Sequence, residues 1–124
     1  MYLRDKRRMK DYHDLAALAR GIRFEGEVLA EAIRVCFRER STAIPAGQPV
    51  GMSEGFAAEP RNSKLWEAFA RKARLPDAYS DLSKLLAMLR AFLLTPMQAA
   101  RTNDSFAKEW PPGGPWQDAD ARPR

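Results

Sequence analysis

Cysteine and histidine are nearly absent from this sequence, which has one of each, Cys36 and His13, among 124 residues. A single cysteine excludes an internal disulfide and a zinc site built from cysteines, and a single histidine excludes a metal site built on a histidine pair. The sequence also has no glycine-rich phosphate loop and no Ser/His/Asp set. These absences remove several common classes of metalloprotein, secreted scaffold and hydrolase.

Long apolar runs are missing as well. No segment approaches the ~18 consecutive apolar residues that a membrane span needs. Met1 is followed by charged residues rather than by the apolar core of a signal peptide. We therefore expect a cytoplasmic protein without a membrane partner, and the lone cysteine suits that reducing compartment.

The composition is that of one small folded domain with a basic excess. The chain is 45% hydrophobic and 30% charged, so it can bury a core. Its 21 basic and 16 acidic residues give a formal net charge of +5. This excess permits a polyanionic partner without establishing one, because acids and bases are mixed.

Apolar residues recur with helical spacing along most of the chain, and valine, isoleucine and threonine never alternate over four residues. The pattern predicts an all-α fold, a small bundle of about five helices over residues 1–101. An irregular tail rich in tryptophan, proline and glycine follows over 102–124. The predicted helices cover about 3–20, about 26–40, a short turn from Ser53 to Glu59, a segment capped by Asn62 or Ser63, and about 81–94.

Four details of this prediction concern individual residues or residue pairs. Cys36 falls within the apolar arc of the second helix, which favours a buried, inert thiol. Arg90 falls on the outward face of the fifth helix. Thr95-Pro96 has the pattern of an N-cap followed by proline at the first helical position, so it predicts the start of a last short helix. Trp110 and Trp116 in the tail are expected to cover a groove on the bundle or on a partner.

The first helix carries the most informative charged face. At about 100° per residue, Arg7, Lys10, Asp11 and Asp14 fall on one side, and Arg7–Asp11 and Lys10–Asp14 are i,i+4 pairs. One interpretation is a solvated ladder of ion pairs. The other is a polar site in which Lys10 meets a phosphate and the carboxylates meet a metal or a proton. A second basic cluster, Arg71-Lys72 with Arg74, is explained either by compensation of the helix dipole or by a phosphate contact.

The segment Arg8-Met9-Lys10-Asp11-Tyr12-His13-Asp14-Leu15 resembles the Arg-x-Lys-Asp-x-x-Asp-Leu signature of the AbiEii/AbiGii-type nucleotidyltransferase toxins. The resemblance continues over nearly the whole chain, through Phe24-Glu25-Gly26, 29–33, 37–40, Phe56, Trp66, Phe69, 82–96 and 110–116. It implies the helical C-terminal domain of such an enzyme. The family's catalytic half, with a glycine-rich segment and an Asp-x-Asp pair that holds Mg²⁺, is missing from this sequence. Its only Asp-x-Asp, Asp118-Ala119-Asp120, lies in the tail and is not expected to bind metal.

The resemblance also implies roles for four residues of the first helix. Lys10 would contact the triphosphate of a nucleoside triphosphate, Asp11 or Asp14 would orient Lys10 or act on the acceptor, and Arg8 would hold a phosphate or support the helix. The family activity is transfer of a nucleoside monophosphate to RNA or protein, in toxin–antitoxin systems and phage defence.

The resemblance leaves two functions open for this chain. The first is a fragment that is inactive alone, holds no cofactor by itself, and works with a catalytic N-terminal domain that brings Mg²⁺ and the nucleotide. The alternative is a non-enzymatic helical module that binds RNA, an antitoxin or a separate catalytic half.

Overall fold

The computed structural model describes residues 2–76 and 79–118, with side chains from Arg8 onward. Within this part of the chain the fold is predominantly helical, as predicted, with a short three-stranded sheet in addition. The elements are α1 (Tyr2–Gly21), β1 (Phe24–Glu25), α2 (Gly26–Glu39), a 3₁₀ turn (Val50–Met52), α3 (Glu54–Ala58), α4 (Pro60–Lys72), α5 (Leu82–Thr102), β2 (Lys108–Trp110) and β3 (Gln117–Asp118).

Capping explains where the helices begin. The Ser53 hydroxyl accepts a hydrogen bond from the backbone N–H of Phe56 at 3.1 Å, which confirms it as the N-cap of α3. Asp81 caps α5 in the same way, accepting from the Ser83 N–H at 2.9 Å. The prediction for α4 was wrong, because α4 begins at Pro60 and not after Asn62 or Ser63. Proline suits the first helical position, since its φ is preset and its missing N–H would have no helical partner there.

The predicted break at Thr95-Pro96 is also wrong, because α5 runs through Pro96 without interruption. A proline inside a helix removes one backbone donor and leaves the carbonyl four residues earlier without its partner. That carbonyl belongs to Phe92, and the indole Nε1 of Trp116 donates to it at 2.9 Å. The helix therefore continues because a tail residue supplies the missing donor.

The short sheet joins the tail to the segment before α2. Strand β2 pairs antiparallel with both β1 and β3, and Phe24 lies opposite Trp110. No strand was predicted, because runs of two or three residues are too short to show an alternating pattern. The predicted division into a domain at 1–101 and a tail at 102–124 stays a prediction.

Contacts group the chain into two compact units. The first comprises Met1–Leu18 and Pro49–Arg90. Its buried side chains come from the apolar sides of α1, α4 and α5, from the 3₁₀ turn and from α3: Met9, Tyr12, Ala16, Met52, Ala57, Trp66, Ala70, Leu82, Leu85, Leu86 and Leu89. The indole of Trp66 is fully buried and donates to the Tyr79 carbonyl at 3.0 Å.

The second unit comprises Ala19–Gln48 and Ala91–Arg124. Its buried residues include Trp110, which is 1% exposed, so this tryptophan packs within the chain, the first of the two predicted alternatives. Its Nε1 donates to the carbonyl of Ala19 in the last turn of α1 at 2.7 Å, and the Gly113 N–H donates to the same oxygen at 2.9 Å. The two bonds satisfy a carbonyl that a helix end leaves open.

Two predicted orientations need correction. Cys36 is exposed, not buried. It lies roughly 120° around α2 from the buried Ala30, outside the sector that packs. Arg90 does not face away from the first unit. Its side chain is only 16% exposed, and it donates to the Met52 carbonyl at 2.7 Å.

Candidate functional site

The charged face of α1 is presented to solvent because the opposite side of the helix is anchored. Met9, Tyr12 and Ala16 are buried on that opposite side, within the first unit. Helical spacing then turns Lys10 and Asp14 outward, and both are exposed. The local sequence therefore decides which face of α1 is available to a ligand or partner.

Lys10 and Asp14 form the best-defined interaction of this face. The Lys10 ammonium donates to an oxygen of Asp14 at 2.8 Å, with side-chain exposures of 66% and 52%. The hydrogen bond from Lys10 holds the pKa of Asp14 below its ordinary value. The same bond, followed by the charge of Asp14, raises the pKa of Lys10. Both groups are therefore charged over the whole neutral range.

Asp11 lies on the same exposed face. Its charge is a smaller contributor to the raised pKa of Lys10. The other predicted pair, Arg7–Asp11, lies outside the described residues, because the side chain of Arg7 is not among them. The structure thus joins Lys10 to Asp14 and places Asp11 beside them.

Arg8 is separated from this pair. Its guanidinium carbon lies 5.2 Å from the centroid of the Phe56 ring, a cation–π arrangement. The Phe56 ring in turn meets Tyr12 edge-on, with centroids 6.2 Å apart. Arg8 is half-buried on the side of α1 that packs against α3, not on the side that carries Lys10 and Asp14.

The segment around the 3₁₀ turn supports this side of α1, and sequence reasoning missed it. The phenol of Tyr12 donates to the carbonyl of Gly51, and burial raises the pKa of this phenol above its ordinary value. Arg90 holds the Met52 carbonyl and lies 3.7 Å from a Glu54 carboxylate oxygen. The sequence signal for this contact was Tyr12, a tyrosine at the border between the apolar and the charged sides of α1.

The two described carboxylates of α1, Asp11 and Asp14, do not fit a Mg²⁺ ion. Mg²⁺ requires several oxygen ligands in near-octahedral geometry, whereas Asp14 already contacts the Lys10 cation. Across residues 2–76 and 79–118, no group of three or more His, Cys, Asp and Glu side chains is placed to hold a metal. Of Asp118-Ala119-Asp120, the last two lie outside the described residues, and Asp118 lies 3.3 Å from the ammonium of Lys108.

His13 has a packing role in this structure. Its ring lies 5.7 Å from that of Phe69, centroid to centroid, and Phe69 stacks on Trp66 at 5.5 Å. The histidine therefore joins an aromatic row within the first unit, about 60° around α1 from Lys10.

Comparison with known proteins places the motif in context. The family model for the nucleotidyl transferase AbiEii toxin of type IV toxin–antitoxin systems matches residues 1–103, which include the whole charged face of α1. No curated protein and no solved structure gives a match. None of the described helices is both long enough and apolar enough to span a bilayer. With most of its length matched and the signature in place on α1, the chain belongs to the AbiEii family of nucleotidyl transferase toxins.

Proposed function

We propose that this chain supplies the helical side of a nucleotidyltransferase site, in which a nucleoside monophosphate passes from a nucleoside triphosphate to RNA or protein. The observation that carries the proposal is the Lys10–Asp14 pair, held at 2.8 Å on an exposed face within the family-matched residues. An exposed ammonium whose charged form is favoured by a neighbouring carboxylate can contact the phosphates of a nucleoside triphosphate as a point charge.

Lys10 is the phosphate-binding residue of this proposal. An ammonium has three N–H donors, so Lys10 can keep its bond to Asp14 and still donate to phosphate oxygens. Asp14 then acts as the orienting carboxylate, because it holds the ammonium in place and favours its charged form. Asp11 is left to act on the acceptor group, because it is exposed next to Lys10 and lies about one turn before Asp14.

Arg8 supports the helix in this scheme rather than binding the reacting phosphate. Its guanidinium rests on the Phe56 ring at 5.2 Å, away from the Lys10–Asp14 pair. The stack ties α1 to α3, and one turn further along the Tyr12 bond to Gly51 ties α1 to the 3₁₀ turn. Together these contacts hold the α1 face in one orientation.

The metal chemistry belongs to a different segment. Nucleotidyl transfer uses Mg²⁺ to neutralise and align the phosphates. Because Asp11 and Asp14 do not fit the ion, a catalytic half that carries an Asp-x-Asp pair is a required partner. A cognate antitoxin is the second proposed partner, and the cytoplasm is the proposed site of action.

Reconstitution with such a catalytic half tests the proposal. Variants Lys10→Ala and Asp14→Asn are compared with Glu31→Gln, a control on the exposed side of α2, using labelled nucleoside triphosphates with RNA and protein acceptors. Loss of a phosphate contact or an acid–base group should lower the rate by roughly 10²-fold or more. The control should retain the full rate, and circular dichroism should show all three variants folded.

Two results would contradict the proposal. Equal rates in all three variants would mean that Lys10 and Asp14 form only a solvated ion pair and that the chain is an interaction module. Nucleotide transfer by the chain alone, abolished by Asp14→Asn, would mean that it needs no separate catalytic half.

A further inference from the structure

A second charged surface lies on α4, and the proposed function does not use it. Five exposed cations follow the outer side of this helix and its end: Arg61, Lys64, Arg71, Lys72 and Arg74. At about 100° per residue, the four within the helix fall in an arc of about 100°, with Ala68 between them. At about 1.5 Å per residue, the distance along the axis from the first to the last of these four is roughly 16 Å. We call these five residues the α4 basic stripe.

Dipole compensation does not account for the stripe. Cations are favourable near the C-terminus of a helix, where Arg71 and Lys72 lie, but unfavourable near the N-terminus. Arg61 and Lys64 lie within the first five residues of α4, and its first turn contains no acidic residue. Half of the helical cations are therefore placed against the helix dipole.

The stripe cations differ from several cations elsewhere in the fold, although Arg38, Lys84 and Arg101 are equally without a carboxylate partner among the described residues. Lys10, Arg23, Arg34, Arg90 and Lys108 each lie within ion-pair distance of a carboxylate. Among the described residues, no carboxylate lies within ion-pair distance of four of the stripe cations, Lys64, Arg71, Lys72 and Arg74. Glu67, four residues before Arg71, forms no such pair with it either, so these charges are available to an external anion.

The position of Arg74 allows an independent test. The N–H of Leu75 bonds to the Ala70 carbonyl at 2.9 Å and that of Arg74 to the Arg71 carbonyl at 3.1 Å, the two bonds of a Schellman motif. Arg74 occupies the left-handed position of this motif with φ 57°. Glycine is the usual residue there, and a side chain costs roughly 1 kcal/mol. Arg74 therefore carries its cation at a left-handed position, the conformation that Ser41 and Asn103 also adopt after α2 and α5.

The chemistry of the stripe points to a nucleic-acid backbone as its partner. A protein interface has apolar or aromatic anchors at its centre, and a helix that binds a membrane surface inserts apolar residues. The stripe has neither, since the exposed apolar residues between its cations are the alanines Ala68 and Ala73. Phosphate contacts need cations alone and dominate affinity for nucleic acid. We propose that the α4 basic stripe binds the phosphate backbone of a nucleic-acid strand, independently of the charged face of α1.

The first test measures binding of the full chain to a fluorescent 20-nucleotide RNA and to DNA of the same sequence by anisotropy. The variant Lys64→Gln/Arg71→Gln/Lys72→Gln is compared with Lys84→Gln/Arg38→Gln/Arg101→Gln, which removes the same charge from exposed positions elsewhere. Each phosphate contact on a single strand contributes about 0.7 to the salt slope of log K. The stripe variant should therefore lose about 2 from that slope and bind at least about tenfold more weakly at low salt.

RNA and DNA should bind alike, because charge recognition does not read the sugar. If the stripe variant and the control lost affinity equally, net charge alone would explain the binding, and the proposal would be overturned. Unchanged binding by the stripe variant would overturn it as well. A polyglutamate chain that competes at equal charge, and loses that ability in the stripe variant alone, would assign the surface to an acidic protein instead.

The second test uses Arg74→Gly, which separates binding from folding. Because glycine accepts the left-handed conformation at no steric cost, this variant should melt at a higher temperature than the wild type. Its salt slope should still fall by about 0.7. If this variant is more stable but binds less tightly, unfolding cannot explain its lower affinity. Wild-type affinity in this variant would show that Arg74 does not contact the nucleic acid.

Discussion

Trp116 donates a hydrogen bond from its Nε1 to the carbonyl oxygen of Phe92 at 2.9 Å, and this is the oxygen that Pro96 leaves without a helical donor. The same indole stacks on the Phe92 ring, with centroids 6.1 Å apart and planes 8° from parallel. A residue of the C-terminal segment thus completes the backbone bonding of α5. The C-terminal segment therefore helps to hold the second unit together, because the Phe92 carbonyl depends on it for a hydrogen bond.

A double-mutant cycle on Trp116 and Pro96 tests this relationship. Trp116→Phe leaves the Phe92 carbonyl without a donor, and an unsatisfied buried acceptor costs about 1–3 kcal/mol. In a Pro96→Ala background the new N–H can bond that carbonyl, so the same substitution should cost about 1 kcal/mol less. Urea unfolding of the four proteins measures the coupling. Because the ring area removed is the same in both backgrounds, additive effects would mean that the indole bond contributes nothing.

Gly26 and Gly21 give opposite predictions for the same substitution. A Cβ at Gly26 would lie 2.6 Å from both Cδ2 and the carbonyl oxygen of Phe106, whereas one at Gly21 would meet nothing within 4 Å. Gly26→Ala should therefore lower the free energy of unfolding by about 1–3 kcal/mol through overpacking. Gly21→Ala should raise it by about 0.5–1 kcal/mol, because alanine is the better helix former. Chemical denaturation decides both, and a neutral Gly26→Ala would refute the close approach.

The buried apolar side of α5 should not tolerate a charged side chain. Leu86 and Leu89 are 0% exposed, so Leu86→Asp or Leu89→Asp would place an unpaired carboxylate in the core of the first unit. Either variant should lose the cooperative thermal transition. The matched control is Ala87→Asp on the exposed side of the same helix, which should change stability by no more than about 0.5 kcal/mol. A normal melt of both leucine variants would show that this face is not buried.

The Lys10–Asp14 pair should be visible in the titration of Asp14. The lowered pKa means that the stabilisation is present above the unfolded-state pKa and is lost as pH falls through the folded-state pKa. At high pH the stabilisation is lost again, because Lys10 loses its charge as pH rises through its raised folded-state pKa. Lys10→Gln should return the Asp14 midpoint toward its ordinary value in a carboxyl NMR titration, and Lys84→Gln should leave it unchanged. An unshifted Asp14 in the wild-type protein would mean that the pair does not persist in solution.

The sequence by itself determined the helices, because their apolar periodicity is a local property. It also determined the outward position of Lys10, Asp11 and Asp14, since the apolar residues of α1 leave only one orientation. The family signature rests on the same eight consecutive residues. Each of these inferences uses side chains within a few turns of one another.

Only the tertiary structure decided the features that join distant parts of one unit. The stack of Arg8 on Phe56 separates this arginine from the other motif residues, although all four are neighbours in sequence. Strands of two or three residues have no pattern of their own and exist because β2 finds partners on both sides. The continuity of α5 through Pro96 depends on Trp116, twenty residues further along the chain. A local pattern states what a residue prefers, whereas a hydrogen bond to a distant donor depends on where the chain returns.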